Sequence, residues 1–83
     1  MKIPNENRQR EKLLLLLKET RQKCGVTQVE LAEKLSVPQS FVSKYESGER
    51  QLDILELRQI CHFIGISFDN FVQQLEEKIN ETK

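Results

Sequence analysis

Two stretches with a helical spacing of apolar residues, 27–35 and 38–47, are separated only by Ser36 and Val37. Helices joined so closely must cross steeply, as in a helix-turn-helix. A steep crossing brings two backbones together at one point, and a large side chain there would hold them apart. Ala32 is the only alanine in the chain and falls near the middle of the first of these helices.

The punctuation of the rest agrees with an all-helical chain. Gly25, Gly48 and Gly65 each follow a helix-like stretch, and glycine is favoured just past a helix end. Thr27-Gln28-Val29-Glu30 fits a capping box, and Asp53-Ile54-Leu55-Glu56 repeats the pattern. Ser67 or Asp69 suits the start of a last helix. The spacing predicts five helices, over about 7–24, 27–35, 38–47, 53–64 and 67–80, with no competing strand pattern. Their inner faces are expected at Val29, Leu31, Ala32 and Leu35, and at Val42 and Tyr45 with Val37 and Phe41 at the margin. In the fourth helix the stripe is Ile54, Leu57, Ile60, Cys61 and Ile64, and in the fifth Phe68, Phe71, Val72, Leu75 and Ile79.

At 83 residues the chain is expected to form one domain, residues 1–83, with a small core. No apolar run approaches the ~18 residues needed to span a bilayer, and the leucines at 13–17 are flanked by Glu11, Lys12, Lys18 and Glu19. The first twelve residues are mostly polar and charged, unlike a secretory signal. Cys24 and Cys61 have no metal-type spacing and are expected to be buried or half-buried thiols of a cytoplasmic protein. The formal net charge is zero, but residues 1–52 carry ten Lys/Arg against seven Asp/Glu, while residues 53–83 carry three against six. That layout leaves room for a basic face on the N-terminal part.

The segment "VPQSFVSKYESGER", 37–50, has an unusual outer face. At 100° per residue, Gln39, Ser40, Ser43, Lys44 and Ser47 lie opposite Val42 and Tyr45. Amides, hydroxyls and ammonium groups match the donors and acceptors of base edges in a DNA major groove. Gln39 suits adenine, with both ends of its amide engaged. Lys44 suits guanine or a phosphate, and Ser40 suits either kind of base.

The run "TQVELAEKLSVPQSFVSKYESGERQLDILELRQICHFIGISFDNF" resembles the Cro/C1-type helix-turn-helix domain, the XRE family, and the resemblance extends over roughly residues 9 to 75. It implies an all-α fold, a compact five-helix bundle of the lambda-repressor-like kind, with the third helix docked in the major groove. By the same resemblance Gln39 and Ser40 stand where base-reading residues stand, and Ser43 and Lys44, on the same outer face, are expected to contact bases with them. Gln28 contacts a phosphate and braces Gln39, and Thr27 turns its helix N-terminus toward a phosphate. Ser47, Arg50 and Gln51 clamp the DNA backbone. Arg21 and Glu46 match positions that pair to tie the first helix to the end of the third. Three residues depart from the family pattern: Ser36 in place of the usual Gly, Pro38 in place of a Ser or Thr cap, and Leu52 in place of a common Pro.

The expected function is a sequence-specific, double-stranded-DNA-binding transcriptional regulator, a repressor, that needs no cofactor. The alternative is an antitoxin or a phage or restriction-controller subunit whose main partner is another protein. No phosphate loop, metal spacing or nucleophile with a partner histidine points to an enzyme, and His62 is expected to be exposed. A homodimer on a palindromic operator is expected, formed mainly by the fourth and fifth helices. Leu55, Phe63, Leu75 and Ile79 are its candidate contacts, and Leu14 and Leu15 also exceed one face of the first helix.

Overall fold

The computed structural model describes residues 6–81. Five helices follow one another: α1 (Glu6–Lys23), α2 (Gln28–Leu35), α3 (Gln39–Ser47), α4 (Ile54–Ile64) and α5 (Phe68–Asn80). Their starts are chemically marked. Thr27 accepts from the Glu30 backbone N–H at 3.1 Å, and the Glu30 carboxylate accepts from the Thr27 N–H at 3.0 Å. Those bonds hold the Glu30 carboxyl below its ordinary value. Asp53 and Glu56 form the second box in the same way, and Ser67 caps α5 by accepting from Asn70. Pro38 stands at the start of α3 with extended backbone angles and no side-chain cap.

The turn between α2 and α3 is made by Ser36 in the left-handed conformation, φ 59° and ψ 43°. Its N–H and that of Val37 reach back to the carbonyls of Glu33 and Ala32 at 3.1 and 3.0 Å. These bonds close α2 and send the chain directly into α3. Ser36 is the only residue other than glycine with positive φ among those described, so a β-carbon is tolerated there at some steric cost.

The core takes one or more side chains from every helix. Leu16 and Leu17 come from α1, Leu31 and Ala32 from α2, and Val42 and Tyr45 from α3. Ile60, Cys61 and Ile64 come from α4, and Phe71 from α5. α2 packs on α3 and α4, α1 on α3 and α5, and α4 on α5. Ala32 is buried at the α2 crossing. Burial pushes the Cys61 thiol up to about 11, so it is a small apolar packing group rather than a nucleophile. The Tyr45 ring is fully buried, and its hydroxyl has no hydrogen-bond partner among the described residues.

Several apolar residues expected inside lie outside. Val29 is 47% exposed because it stands 200° around α2 from Leu31, away from the stripe that Leu31, Ala32 and Leu35 define. Ile54 keeps the phase of its stripe but begins α4, and it is 67% exposed with nothing to cover it. Val72 is also exposed. Cys24, expected to be at least half-buried, is exposed at the end of α1. No described helix is long and apolar enough to cross a membrane.

Candidate nucleic-acid interface

α3 is two-sided. Val42 and Tyr45 anchor it in the core with no exposed surface. On its other side Gln39, Ser40, Lys44 and Ser47 are exposed and Ser43 is half-exposed. The Ser43 hydroxyl donates to the Ser40 carbonyl at 3.2 Å and that of Ser47 to the Lys44 carbonyl at 3.0 Å. Each hydroxyl keeps lone pairs and is able to rotate toward another partner.

Behind this face a chain of polar contacts joins three helices. Arg21 of α1 grips Glu46 of α3 with two bonds, Nε to Oε2 at 2.7 Å and NH2 to Oε1 at 3.1 Å. The Arg21 NH1 also donates to the Val26 carbonyl at 2.8 Å. The bond to Glu46 raises the Arg21 pKa against the opposing effect of burial. Gln28 of α2 donates to Glu46 Oε1 at 2.9 Å, and Gln39 donates to Gln28 Oε1 at 3.4 Å. The first turn of α2 and the first turn of α3 are therefore referenced to one buried carboxylate. The Gln28–Glu46 bond is missing from any reading by helical period, because it joins residues 18 apart on different helices.

In the loop after α3, Arg50, expected to clamp the DNA backbone, is engaged within the chain. Its guanidinium donates to both Glu56 oxygens at 3.2 and 2.8 Å and to the Gln51 carbonyl at 3.0 Å. It also lies 4.3 Å from the centre of the Phe41 ring. These contacts fasten the loop to α3 and α4, with Gln51 exposed beside them. Arg50 raises its own pKa and lowers that of Glu56 through the pair. Thr27 is exposed at the N-terminus of α2, close in sequence to Gln28, which is half-exposed.

A profile of the helix-turn-helix family matches residues 17–71, most of the chain and all of this face. The chain belongs to the Cro/C1-type helix-turn-helix (XRE) family. Among its XRE relatives, the HTH-type transcriptional regulator ImmR of Bacillus subtilis (strain 168) is 40% identical over 67 residues, covering 80% of this chain. The chain spans about half, 53%, of that relative's length. An XRE-family-like protein from Pseudomonas syringae pv. tomato str. DC3000 superposes with a TM-score of 0.82 at 44% identity, over 87% of this chain and 88% of that one. The restriction-modification controller protein C.Esp1396I superposes with a TM-score of 0.80 at 27% identity, over 88% and 95%.

The residues expected to join two XRE chains are divided between α4, with Leu55 and Phe63, and α5, with Leu75 and Ile79. Leu55 is 70% exposed on α4, next to the exposed Ile54. Phe63 and Leu75 are partly buried against the chain's own core. Leu75 and Ile79 line a groove of about 320 Å³ that also involves Leu13 and Leu14 of α1 and Leu52 of the α3–α4 loop. That groove faces α1, whereas Leu55 and Phe63 sit on α4. Leu15 of α1 is 57% exposed. His62 is exposed, with its ring edge against Phe63. No group of three or more metal-ligating side chains occurs among the described residues.

Proposed function

We propose that this chain is a sequence-specific double-stranded-DNA-binding regulator of transcription, a repressor, that inserts α3 into the major groove. One observation carries the reading. α3 is held from behind by Val42, Tyr45 and Glu46 while Gln39, Ser40, Ser43 and Lys44 remain on its accessible side. In this docking those four residues contact bases. Thr27 and Gln28 meet a phosphate at the N-terminus of α2, where unpaired N–H groups and the helix dipole favour an anion. Ser47 and Gln51 follow the backbone on the other side, and Arg50 holds their loop in place. Backbone contacts set the register, and base contacts set the sequence. The site of action is the cytoplasm, and no cofactor takes part.

The test is selection of bound duplexes from a random DNA pool, followed by titration at several salt concentrations. Each neutralised phosphate steepens the fall of affinity with salt, so a selected duplex should bind less tightly as salt rises and better than a scrambled one. No enrichment and no DNA shift at low salt would favour the alternative, a subunit whose main partner is another protein.

One recognition helix covers a few base pairs, and two-fold dimers of such domains read half-sites about 34 Å apart. We therefore propose a homodimer on a palindromic operator, centred on Ile54 and Leu55 of α4, with Phe63 at its margin. Leu75 and Ile79 contribute only if the partner also reaches the groove beside α1. Leu55→Glu should give a folded monomer with much weaker binding to a two-half-site duplex. Sedimentation of the unmodified protein as a monomer, both free and on that duplex, would remove the dimer from the reading.

A further inference from the structure

We infer that Glu46 is a positioning residue for base readout: it fixes which way the Gln39 amide faces, and thereby sets a preference for adenine over guanine. The inference rests on the docking proposed above and adds a source for its specificity. The nitrogen and oxygen of a glutamine amide have nearly the same shape, so the direction of an amide has to be settled by its partners. Here the partners settle it in sequence. An ionised carboxylate only accepts hydrogen bonds, and a guanidinium only donates. Glu46 takes two bonds from Arg21, and its Oε1 lies 2.9 Å from Gln28. Gln28 must turn its NH2 group to that oxygen, which turns its carbonyl toward Gln39. Gln39 must in turn offer its own NH2 to the Gln28 carbonyl, and it does so at 3.4 Å. Reversing the Gln39 amide would set two carbonyl oxygens against each other.

With that direction fixed, Gln39 keeps its carbonyl oxygen and one N–H for the groove. Adenine offers a donor at N6 and an acceptor at N7, which match the pair. Guanine offers acceptors at both O6 and N7, so the Gln39 carbonyl meets an acceptor. The last link, at 3.4 Å, is long for a hydrogen bond, so Glu46 biases the amide rather than locking it. Arg21 and Glu46 have side chains only 8% and 4% exposed, which keeps water from competing at the start of the chain.

The test uses a duplex selected by the unmodified protein from a random pool and the Gln39→Ala variant to find the base position where preference is lost. The same duplex is then made with adenine or guanine at that position, and both are titrated with the unmodified protein, Gln28→Met and Glu46→Gln. The unmodified protein should prefer adenine by about tenfold or more, as a good bidentate contact does. Gln28→Met keeps the Arg21–Glu46 pair. It should bind both duplexes more weakly, and its adenine-to-guanine ratio should fall to within about threefold, well below the usual discrimination of such a contact. Glu46→Gln is able to present an NH2 to Gln28 and reverse both amides, so its ratio should fall at least as far. If Glu46→Gln fails to fold, Glu46→Asp, which draws the carboxylate back from Gln28, takes its place with the same expected fall in the ratio. Equal proportional weakening on both duplexes, with the ratio unchanged, would make Glu46 an anchor of the fold only and overturn the inference. A selected site with no adenine at the Gln39 position would overturn it as well. Absence of any selected site would instead remove the DNA-binding reading on which it rests.

Discussion

Two arginine–glutamate pairs hold α3 and its following loop, and they differ first in their exposure to solvent. Arg21–Glu46 and Arg50–Glu56 are both two-pronged, with shortest contacts of 2.7 and 2.8 Å. The first has side chains 8% and 4% exposed, and the second 38% and 31%. The same chemistry therefore does two jobs. In the buried pair, neither charge has water to fall back on, so each depends on the other and on the neighbouring Val26 carbonyl and Gln28 amide. In the exposed pair water and salt compete with the partner, so its gain in stability is small and it acts mainly on the shape of the loop. Arg50 adds a face-on contact with Phe41, which ties that loop to α3 itself.

The largest effect should come from breaking the buried pair on one side. Arg21→Met leaves Glu46 charged and buried, which costs about 3–5 kcal/mol. A domain of this size has a total stability on the order of 5–10 kcal/mol, so urea denaturation should show a large loss and a measurable unfolded fraction without denaturant. The double variant Arg21→Met/Glu46→Leu sharpens the comparison. Removing both charges should recover much of the stability, because a buried pair is often matched by apolar residues of similar volume. It should not recover selective DNA binding, since Gln28 has lost its reference. A double variant as unstable as the single would mean that the cost lies in packing rather than in an orphaned charge.

The next effect concerns the other end of α3. Ser36 holds φ 59°, a conformation that costs a residue with a β-carbon about 1–2 kcal/mol relative to the right-handed region. Ser36→Gly should raise stability by up to about 1 kcal/mol, since part of the relief is offset by the greater freedom of glycine in the unfolded chain. Thermal unfolding decides it. A lower melting temperature would show that the serine contributes more than the strain it carries, and that the entry to α3 is as firmly held as its exit.

Much of this arrangement is visible in the residues themselves. Capping boxes at Thr27 and Asp53, the two-residue link at Ser36-Val37 and the stripes in α4 and α5 are local patterns, so they can be read without knowing what touches what. The polar face of α3 is legible for the same reason. Val29, Ile54 and Cys24 are different, because their burial depends on which neighbour reaches them, and periodicity does not say where a neighbour ends. Arg50 was harder still. Its partner Glu56 is only six residues away, but the bond depends on the path of an irregular loop, and Glu56 already had a role in capping Asp53. The separation of Leu75 and Ile79 from Leu55 depends on how α1 and α5 meet, which no single stripe records.

The exposed pair should respond to acid and to salt. The Arg50 guanidinium and the Asp53 N–H hold the Glu56 carboxyl below its ordinary value of 4.5. A depressed carboxyl contributes its stability fully above that ordinary value and loses it as pH falls through the folded-state value. Between pH 5 and pH 7 the Arg50–Glu56 clamp should therefore be unaffected, with the loss confined to more acid solution. Relative to the unmodified protein, Glu56→Gln should show a smaller drop in melting temperature as the solution is made acid enough to protonate the Glu56 carboxylate. Arg50→Ala should lower the melting temperature far less than Arg21→Met, and the loss should shrink as salt rises because exposed charges are screened. A salt-independent loss for Arg50→Ala would assign its role to the contact with Phe41 instead.

The smallest effect should come from Tyr45, and it tests what burial does to a polar group with no partner. Its ring fills the core beside the buried pair and makes a T-shaped contact with Phe41 at a centroid distance of 5.9 Å. Burial raises the phenol's pKa beyond its ordinary range, so the hydroxyl is protonated at neutral pH. Unlike Arg21 and Glu46, that hydroxyl has no hydrogen-bond partner among the described residues. A buried donor left unsatisfied costs free energy, and removing it leaves nothing else unpaired. Tyr45→Phe keeps the ring, so it should be neutral or stabilise by up to about 1 kcal/mol, the scale of one net hydrogen bond. DNA selectivity should be unchanged, because the residue faces away from Gln39 and Lys44. The decisive measurement is urea denaturation of the two proteins side by side. A loss of more than about 1 kcal/mol, the net worth of a typical hydrogen bond, would mean that the hydroxyl is bonded in solution, and Tyr45 would then belong with Arg21 and Glu46 as a buried group held by its partners.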